Sequence, residues 1–376
     1  MTAETTDLEV LRGDTVVLRP LRIDDAPDIV VGCDDPLSQR FLQQLPSPYT
    51  LADARWWITE GAPASRATGG QVYGIADPAS DRLIGCVGLS RRGRHEMEVG
   101  YWVVPGVRGR GVATEATRLL STHALTGDVA RLELRTDPAN AGSQRVAIAA
   151  GFTREGIARG AGSARDGSRY DLIVWARLAT DSGEPTSRVI PDLPGGELTD
   201  GMVTLRPVTA EDAEDMYALR NLPECIARSV PPEPVTREEV ERRCAHTWAH
   251  WLAGSRADLT IRDAATDAFA GDIGLFNPDR VTRQAMVGYS MVREWRGRGY
   301  VTRAVNLLTE WAFTDVGMER VIAGTAPDNT ASQHVLSRAG FEREAYLRAL
   351  LPGPDDTRID DIQWVRFRPP LPSARG

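Results

Sequence analysis

The sequence predicts an α/β (α+β) protein built from two tandem domains, each a mixed, mostly antiparallel sheet flanked by helices. Three observations support this fold class. Four motifs recur in the same order in both halves, strand-like and helix-like segments alternate within each half, and a segment rich in Pro, Gly and Ser separates the halves. The 376 residues are enough for two domains with substantial cores. We therefore predict a first domain over residues 10–180, a linker over 181–198 and a second domain over 199–370.

The internal repeat is the strongest of these signals. Its offset drifts only from 187 to 189 residues, and chance does not place four matches in one order at nearly constant spacing. The matched pairs are TVVLRPLRIDDAPDI (15–29) with MVTLRPVTAEDAEDM (202–216), VGYWVVPGVRGRGVATEATRLL (99–120) with VGYSMVREWRGRGYVTRAVNLL (287–308), TDPANAGSQRVAIAAGF (136–152) with TAPDNTASQHVLSRAGF (325–341), and DGSRYDLIVWARL (166–178) with DDTRIDDIQWVRF (355–367). Each half is therefore one copy of the same domain.

The elements of the first half follow from periodicity and turn residues. VVLRPL alternates like a strand and leads into an Asp-rich helix start. QVYGIADPASDRLIGCVGL predicts a hairpin around a Pro/Ser/Asp turn, and EMEVGYWVV predicts a further strand. A glycine-rich loop then leads into a helix whose Ala113, Ala116, Leu119 and Leu120 share one face. RLELRT predicts a strand, AGSQRVAIAAGF a helix that ends at Gly151, and LIVWARL the closing strand.

Composition excludes several classes of protein. The formal net charge is -8 and all 44 basic residues are arginine, so general affinity for nucleic acid is not expected. No apolar run approaches the length of a membrane span, and the acidic start of the chain lacks a signal segment, which predicts a cytoplasmic protein. The four scattered cysteines have neither metal-site nor disulfide spacing, and we predict no metal.

One short loop raises the question of a ligand. VRGRGVATEA (107–116) lies between a predicted strand and a predicted helix, and WRGRGYVTRA (295–304) repeats it. The N-terminus of a helix carries free amide groups and about half a positive charge, which favours an anion such as a phosphate. Gly109 and Gly111 let the backbone approach that anion closely. The two arginines of the loop add charge-assisted hydrogen bonds.

Two familiar phosphate loops do not fit this pattern. A P-loop ends in Gly-Lys-Ser/Thr, and the chain has no lysine. The dinucleotide fingerprint needs a third glycine where Thr114 stands. An isolated Gly-Arg-Gly turn is typical of a solvated turn before a helix. Its recurrence at the same strand-to-helix junction in both halves favours a ligand loop.

The pattern Arg108-x-x-Gly111-x-Ala113 resembles the pyrophosphate-binding loop of the GNAT superfamily of acyl-CoA N-acyltransferases. The surrounding motifs are similar to the branch that includes ribosomal-protein N-terminal acetyltransferases. They are LRPL at the start, EVGYWV, N-x-x-S before a helix, GF, and SRYDLIVWARL at the end. The resemblance covers nearly all of both halves apart from the linker and the termini. It is specific to the superfamily and does not identify a substrate.

The resemblance implies that acetyl-CoA is the co-substrate and lies in a V-shaped cleft between two splayed strands. These strands are 97–104 and 131–136 in the first half, and 285–292 and 320–325 in the second. The backbone amides of 108–113 are then expected to hold the pyrophosphate. The implied coenzyme contacts are Val103, Arg108, Gly109, Arg110, Gly111, Val112, Ala113 and Asn140 in the first half, and Arg296, Gly297, Arg298, Gly299, Tyr300, Val301, Asn329 and Ser332 in the second. Val301 departs from the pattern, because Gly or Ala is usual there.

The resemblance also implies two catalytic residues in the first half. Glu98 matches the carboxylate that activates the amine in this branch, usually through water, although a solvated glutamate would look the same in sequence. Its counterpart, Met286, cannot accept a proton, and Asp272 on the preceding strand is a possible substitute in the second half. Ser143 matches the general acid of the ribosomal-protein enzymes, with a hydroxyl at the helix N-cap as the alternative.

Other residues near the implied site have a structural interpretation beside the functional one. Tyr101 and Tyr289 are more typical of packing than of catalysis. The segment ARWWITEG (54–61) predicts a helix in the region that varies with substrate in the family. Trp56 and Trp57 within it belong either to the core or to a substrate wall.

The implied reaction is attack of a neutral amine on a thioester. At pH 7 an amine of pKa about 10.4 costs about 4.6 kcal/mol to deprotonate, whereas an α-amine of pKa near 8 costs about 1.4 kcal/mol. Three acceptor classes remain open: a protein N-terminus, a small amine, and an aminoacyl-tRNA-type ester, against which the acidic charge argues. A coenzyme-A-binding sensor or scaffold with degenerate sites is the non-enzyme alternative. The oligomeric prediction is a monomeric pseudo-dimer or a homodimer.

Overall fold

The computed structural model describes residues 8–353 and 357–370. The chain divides between Ser187 and Arg188 into two compact units, here called the first and the second unit. The start of the last repeated motif, Asp355 and Asp356, lies outside the described residues. Among the described residues, none of the helices is both long enough and apolar enough to span a membrane.

The first unit follows the predicted order of strands and helices. Its strands are β1 (Leu11–Arg12), β2 (Val17–Arg19), β3 (Gln71–Ala76), β4 (Leu83–Arg91), β5 (Glu96–Val103), β6 (Arg131–Thr136), β7 (Thr153–Ser163) and β8 (Arg169–Leu178). Its helices are α1 (Ala26–Cys33), α2 (Pro36–Phe41), α3 (Leu51–Trp56), α4 (Ala62–Ala67), α5 (Val112–Leu125) and α6 (Ala141–Ala149), and a π-helical turn at Trp57–Gly61 joins α3 to α4.

The second unit repeats the pattern. Its strands are β9 (Leu198–Thr199), β10 (Val203–Pro207), β11 (Arg256–Asp263), β12 (Phe269–Asp279), β13 (Gln284–Met291), β14 (Arg320–Thr325), β15 (Glu342–Pro352) and β16 (Arg358–Phe367). Its helices are α7 (Ala213–Arg220), α8 (Pro223–Ile226), α9 (Arg237–Ala245), α10 (Thr247–Leu252), α11 (Tyr300–Thr314) and α12 (Thr330–Arg338).

Each unit is built on one eight-stranded mixed sheet, as the sequence predicts. The orders are β1-β2-β3-β4-β5-β6-β8-β7 and β9-β10-β11-β12-β13-β14-β16-β15. Only β5 with β6, and β13 with β14, pair in parallel among the described strands. Side chains alternate between the two faces of a strand, so Val99 and Tyr101 lie on one face of β5 while Glu98 and Trp102 lie on the other. The fold class is confirmed.

Strands β7 and β15 are the longest of the elements that the sequence analysis did not assign. Both lie at the edge of a sheet, and their residues are mostly half-buried or exposed. Each contains a bulge held by the Arg-x-Asp motif of the next strand. Asp171 accepts from the amide of Gly160, and Asp360 accepts from that of Ala349.

The segment predicted as a linker makes specific contacts. Thr186 donates its amide to Ile148 of α6 in the first unit. Ile190 and Leu193 are buried in the core of the second unit, and Trp251 donates its indole N–H to the carbonyl of Pro191. Both ends of this Pro- and Gly-rich stretch are therefore held by packing.

A buried ion pair anchors the start of α1 to the first sheet. The two terminal guanidinium nitrogens of Arg19, Nη1 and Nη2, donate to the carboxylate of Asp25 at 2.8 and 2.9 Å. The side chains of Arg19 and Asp25 are only 4% and 7% exposed. The second unit arranges the same place differently, because Asp212 accepts there from Arg262 on β11.

We expect Asp25→Asn to lower the free energy of unfolding by about 3 kcal/mol, since it removes the buried carboxylate of the pair and leaves Arg19 with only the exposed Asp81 as a counter-charge. Asp28→Asn is the matched control. The partner of Asp28, Arg82, is 68% exposed, so loss of the Asp28–Arg82 ion pair should cost less than about 1 kcal/mol. Urea unfolding of the full chain, followed by tryptophan fluorescence, measures both. Equal effects of the two substitutions would contradict the structural importance of the buried pair.

Candidate active site

The central strands of the first unit separate where the predicted cleft begins. Strand β5 pairs with β6 only from Glu96–Arg131 to Glu98–Glu133. Beyond that point β5 pairs only with β4, and β6 only with β8. The second unit repeats this, and its parallel pairing ends at Met286–Ile322. Each sheet therefore has a V-shaped opening beside β5 or β13.

The glycine-rich loops enter a helix at the wide end of each opening. Gly109 and Gly111 have φ of +74° and +82°, and Gly297 and Gly299 have +74° and +80°. A Cβ placed at any of these four positions would meet no atom within 4 Å. Backbone conformation therefore requires these glycines, and the loops face open space that a ligand can fill.

The loop of the first unit presents amide groups to that space. The amides of Arg108 and Arg110 donate to the carbonyls of Pro105 and Val107, at 3.2 and 3.4 Å. The first turn of α5 leaves its amides without helical partners. Within the predicted set 108–113, Gly109, Gly111, Val112 and Ala113 are therefore the candidates for holding a phosphate.

The side chain of Arg108 contacts other side chains of the first unit and does not extend into the open space beside the loop. Its guanidinium donates to Asp35 at 2.6 Å and to Ser38 at 3.1 Å, which ties the loop to α2. Arg296 in the second unit donates to the carbonyl of Met291 and pairs with Glu224. Both side chains thus position the loop, and their contribution to binding a phosphate stays a prediction.

The second loop carries bulkier residues than the first. The hydroxyl of Tyr300 donates to Asp263, and its ring lies 5.1 Å from that of Trp295. The guanidinium of Arg298 lies over the Trp295 ring. Val301 is half-buried against the core of the unit, so its extra volume is accommodated by packing.

A tyrosine and a serine meet across each opening. The hydroxyls of Tyr101 and Ser143 are 2.8 Å apart, and those of Tyr289 and Ser332 are 2.7 Å apart. Burial raises the pKa of Tyr101 above its ordinary value of about 10, and it raises the pKa of Tyr289 to about 12. Each phenol therefore stays protonated at neutral pH and is able to act as a proton donor.

Asparagine, and not serine, caps the helix that follows the opening. The side-chain oxygen of Asn140 accepts from the amide of Ser143 at 3.0 Å, and Asn329 accepts from Ser332 at 3.2 Å. The alternative that Ser143 serves as a helix N-cap is therefore wrong. Its hydroxyl is available to Tyr101.

Glu98 lies on the wall of a cavity of about 560 Å³ in the first unit. We call this the first-unit cavity. It contacts both Glu98 and Tyr101, which belong to opposite faces of β5. The carboxylate of Glu98 is half-buried and forms an ion pair with Arg92 on the β4–β5 hairpin. The structure therefore brings the predicted base and the Tyr101–Ser143 pair to one opening.

Aromatic side chains dominate the lining of this cavity. They are Phe41, Tyr49, Trp56, Trp57, Tyr101, Trp102 and Tyr170. Trp56 is 60% exposed and lines the cavity, so its assignment to the core is wrong, and its place in a substrate wall stays a prediction. Cys33 and Cys86 also line the cavity, and burial raises the pKa of both thiols to about 12. These neutral thiols add to the apolar surface.

The second unit differs at the position of the predicted base and at its proposed substitute. Met286 occupies the position of Glu98 and is 38% exposed. Asp272 does not take over as a base, because it is 8% exposed and its carboxylate accepts from Arg220 of α7. It also lies four residues along β12 from Phe276, the partner of Met286.

The comparisons with known proteins match this geometry. The family model described as "Acetyltransferase (GNAT) domain" matches the chain twice, over residues 15–153 and 202–342. The chain belongs to the GNAT acetyltransferase family. This GNAT protein is accordingly an N-acetyltransferase, and its two matched regions confirm the duplication.

Curated relatives of this GNAT protein include several N-acetyltransferases. It is 33% identical over 157 residues to a probable N-acetyltransferase of Bacillus subtilis, YjcK, an alignment that covers 40% of this chain and 87% of the relative. It is 30% identical over 96 residues to the ribosomal protein uS5 alanine N-acetyltransferase of Escherichia coli, covering 24% and 46%.

A solved structure with a bound coenzyme is also similar. The self-immunity acetyltransferase MccE, in complex with acetyl-CoA and AMP, has a TM-score of 0.41 and 21% identity, and the match covers 45% of this chain and 96% of that one.

The Tyr101–Ser143 contact is the part of the site that sequence reasoning missed. The signal was present, because VGY and N-x-x-S both recur at matched positions in the two halves. Neither motif alone shows that a strand residue and a helix residue 42 positions apart will meet.

Proposed function

We propose that the first unit transfers an acetyl group from acetyl-CoA to a primary amine. The observation that carries this proposal is the place of Glu98, on the wall of a cavity that opens beside β5 where β6 departs. Met286 lacks a proton acceptor at the same position of the second unit. The second unit retains a loop that fits a coenzyme phosphate.

The coenzyme-binding role rests on the fit of the loop. Acetyl-CoA supplies the acetyl thioester. The amides of Gly109, Gly111, Val112 and Ala113 would hold its pyrophosphate, because they lie at the N-terminus of the 14-residue helix α5 in open space. In the second unit Gly297, Gly299, Tyr300 and Val301 occupy the matching positions.

The residues of the chain assist proton transfer at two atoms, the nitrogen of the amine and the sulfur of the leaving thiol. Glu98 accepts a proton from the incoming ammonium, directly or through a water molecule, which leaves the nitrogen lone pair free to attack the thioester carbon. As the carbon–sulfur bond breaks, the sulfur takes a proton from the hydroxyl of Ser143 or Tyr101. The nitrogen of the new amide releases its second proton to solvent, and solvent returns a proton to the hydroxyl pair, whose hydrogen bond lets either member be the one that is reprotonated. A leaving thiol of pKa about 8.5 needs only a modest donor.

Release of free thiol from acetyl-CoA tests the proposal with the full chain and a panel of primary amines. If no amine gives thiol release at acetyl-CoA concentrations that saturate the protein, the proposal is overturned. A coenzyme sensor would bind acetyl-CoA without consuming it.

We expect Tyr101→Phe and Ser143→Ala each to lower kcat at least about 10-fold, because each removes a hydroxyl from the proton donor pair. The double variant should be little worse than the singles, since the two hydroxyls act as one unit. Tyr289→Phe is the matched control and should keep most of the turnover. Fully additive losses, or equal losses in Tyr101→Phe and Tyr289→Phe, would contradict this assignment.

A further inference from the structure

The two units differ most in the region that the acceptor would occupy. The motif pairs and the strand registers place Cys33, Val72 and Cys86 of the first unit opposite Arg220, Asp258 and Asp272 of the second. All three first-unit residues line the first-unit cavity. The same positions of one duplicated fold are apolar in one copy and charged in the other.

The charged side chains of the second unit pair with one another in its interior. Arg243 and Arg256 both contact Asp258, at 2.9 and 2.8 Å, and Asp258 is 7% exposed. Counted from Thr50 and Thr236, the capping residues of α3 and α9, Arg243 stands where the first unit has Trp57. These ion pairs fill the space with polar groups that an apolar acceptor would have to desolvate.

The first-unit cavity has the opposite character. Its lining, within the described residues, includes the carboxylates of Asp53 and Glu98 and no arginine or histidine. Hydrogen bonds from the hydroxyl and amide of Thr50 lower the pKa of Asp53, so this carboxylate is charged at neutral pH. The remaining lining is aromatic, aliphatic or neutral polar.

We infer that the first unit takes a monoamine whose ammonium is attached to an apolar body of aromatic size. This inference rests on the proposed acetyl transfer and names its substrate class. With Arg92 paired to Glu98, the two carboxylates leave one net negative charge, which attracts one cationic group. The aromatic walls favour burial of an apolar body and disfavour an acidic one. Residues 33, 72 and 86 thus determine the acceptor specificity of the first unit.

The test compares kcat/KM for four amines with the full chain: 2-phenylethylamine, ethylamine, spermidine and L-glutamate. We expect 2-phenylethylamine to exceed each of the others by at least about 10-fold, since burial of a phenyl group in an apolar pocket has that effect. Equal or higher kcat/KM for spermidine, ethylamine or L-glutamate would overturn the inference. A tripeptide that begins with phenylalanine carries the same chemistry, and its kcat/KM relative to 2-phenylethylamine distinguishes a protein N-terminus from a free amine.

Two variants test the residues. Trp56→Ala should raise KM for 2-phenylethylamine about 10-fold and leave KM for ethylamine unchanged. Because Trp56 is exposed, its truncation should leave the fold intact. Ile157→Ala is the control, because Ile157 is an exposed apolar residue of β7 outside the cavity lining. The double substitution Cys33→Arg with Cys86→Asp copies the Arg220–Asp272 pair and should abolish the preference for the aromatic amine. Retention of that preference in both variants would overturn the inference.

Calorimetric titration with 2-phenylethylamine separates the two proposals. Binding of this amine without thiol release would support the inferred acceptor class and overturn the proposed acetyl transfer. Thiol release with polar amines alone would do the reverse.

Discussion

Glu98→Gln is expected to lower kcat/KM for an alkylamine by about 10²–10³ at pH 7, because it removes the carboxylate that is proposed to accept the ammonium proton beside the attacked thioester. The defect should shrink as the pH rises towards the pKa of the amine, since solution then supplies the neutral form. An amine of pKa near 8 should show a smaller defect at every pH, because its deprotonation costs about 1.4 kcal/mol at pH 7 and not about 4.6.

The matched control for this substitution is Glu96→Gln. Glu96 lies two residues earlier on the same face of β5, is exposed, and does not line the first-unit cavity. The control therefore removes the same charge from the same strand. A pH–rate profile with a high-pKa and a low-pKa amine measures both variants. Full activity of Glu98→Gln with both amines would show that Glu98 is not the base.

Gly111→Val should weaken binding of coenzyme A by at least about 10-fold. At φ of +82° a β-branched residue is strained by roughly 1–2 kcal/mol, and relief of that strain would turn the amides at the start of α5 away from the ligand. We expect two coenzymes per chain in the wild type and one in this variant. Because the first unit is proposed to carry the reaction, turnover should fall in parallel.

Two further variants make that experiment specific. Gly106→Val is the control within the same loop, since Gly106 has open space around it and needs no positive φ. Gly299→Val is strained in the same way in the second unit and should remove the second coenzyme while most of the turnover persists. Isothermal calorimetry and thiol release measure the two quantities on one sample. Loss of turnover in Gly299→Val alone would move the reaction to the second unit.

The architecture was predictable because its signals are local or repeated. Strand alternation, the glycines of the loop and the four repeated motifs each report on a short stretch of chain, and together they lead to two matched sheets. Strand β7 escaped this reasoning, since an edge strand without a buried face lacks the apolar alternation that marks a strand.

The candidate site was predictable only in part. Glu98 and Ser143 followed from the resemblance, and the structure brings the cavity that Glu98 lines to the partner of Ser143, Tyr101. Their roles in catalysis stay predictions. The engagement of Arg108 by Asp35 across 73 positions was not predictable, because the pairing depends on how α2 packs beside the loop. Contacts of this kind have no local pattern.

The specificity region shows the same limit from another side. In sequence, the change from Cys33 to Arg220 looks like ordinary divergence of two copies. Its meaning appears only when the registers show that Cys86 and Asp272 also occupy equivalent positions, so that two thiols of the first unit correspond to an ion pair of the second.

Burial of Ile190 and Leu193 bears on how the two copies can be separated for study. A fragment that begins at residue 199 would leave both side chains behind and open a gap in the core of the second unit, at roughly 1.5–3 kcal/mol for each. A fragment that begins at Arg188 would keep them, together with the carbonyl that accepts from Trp251. A segment whose Pro and Gly content is typical of a spacer therefore supplies two side chains, Ile190 and Leu193, to the hydrophobic core of the second unit.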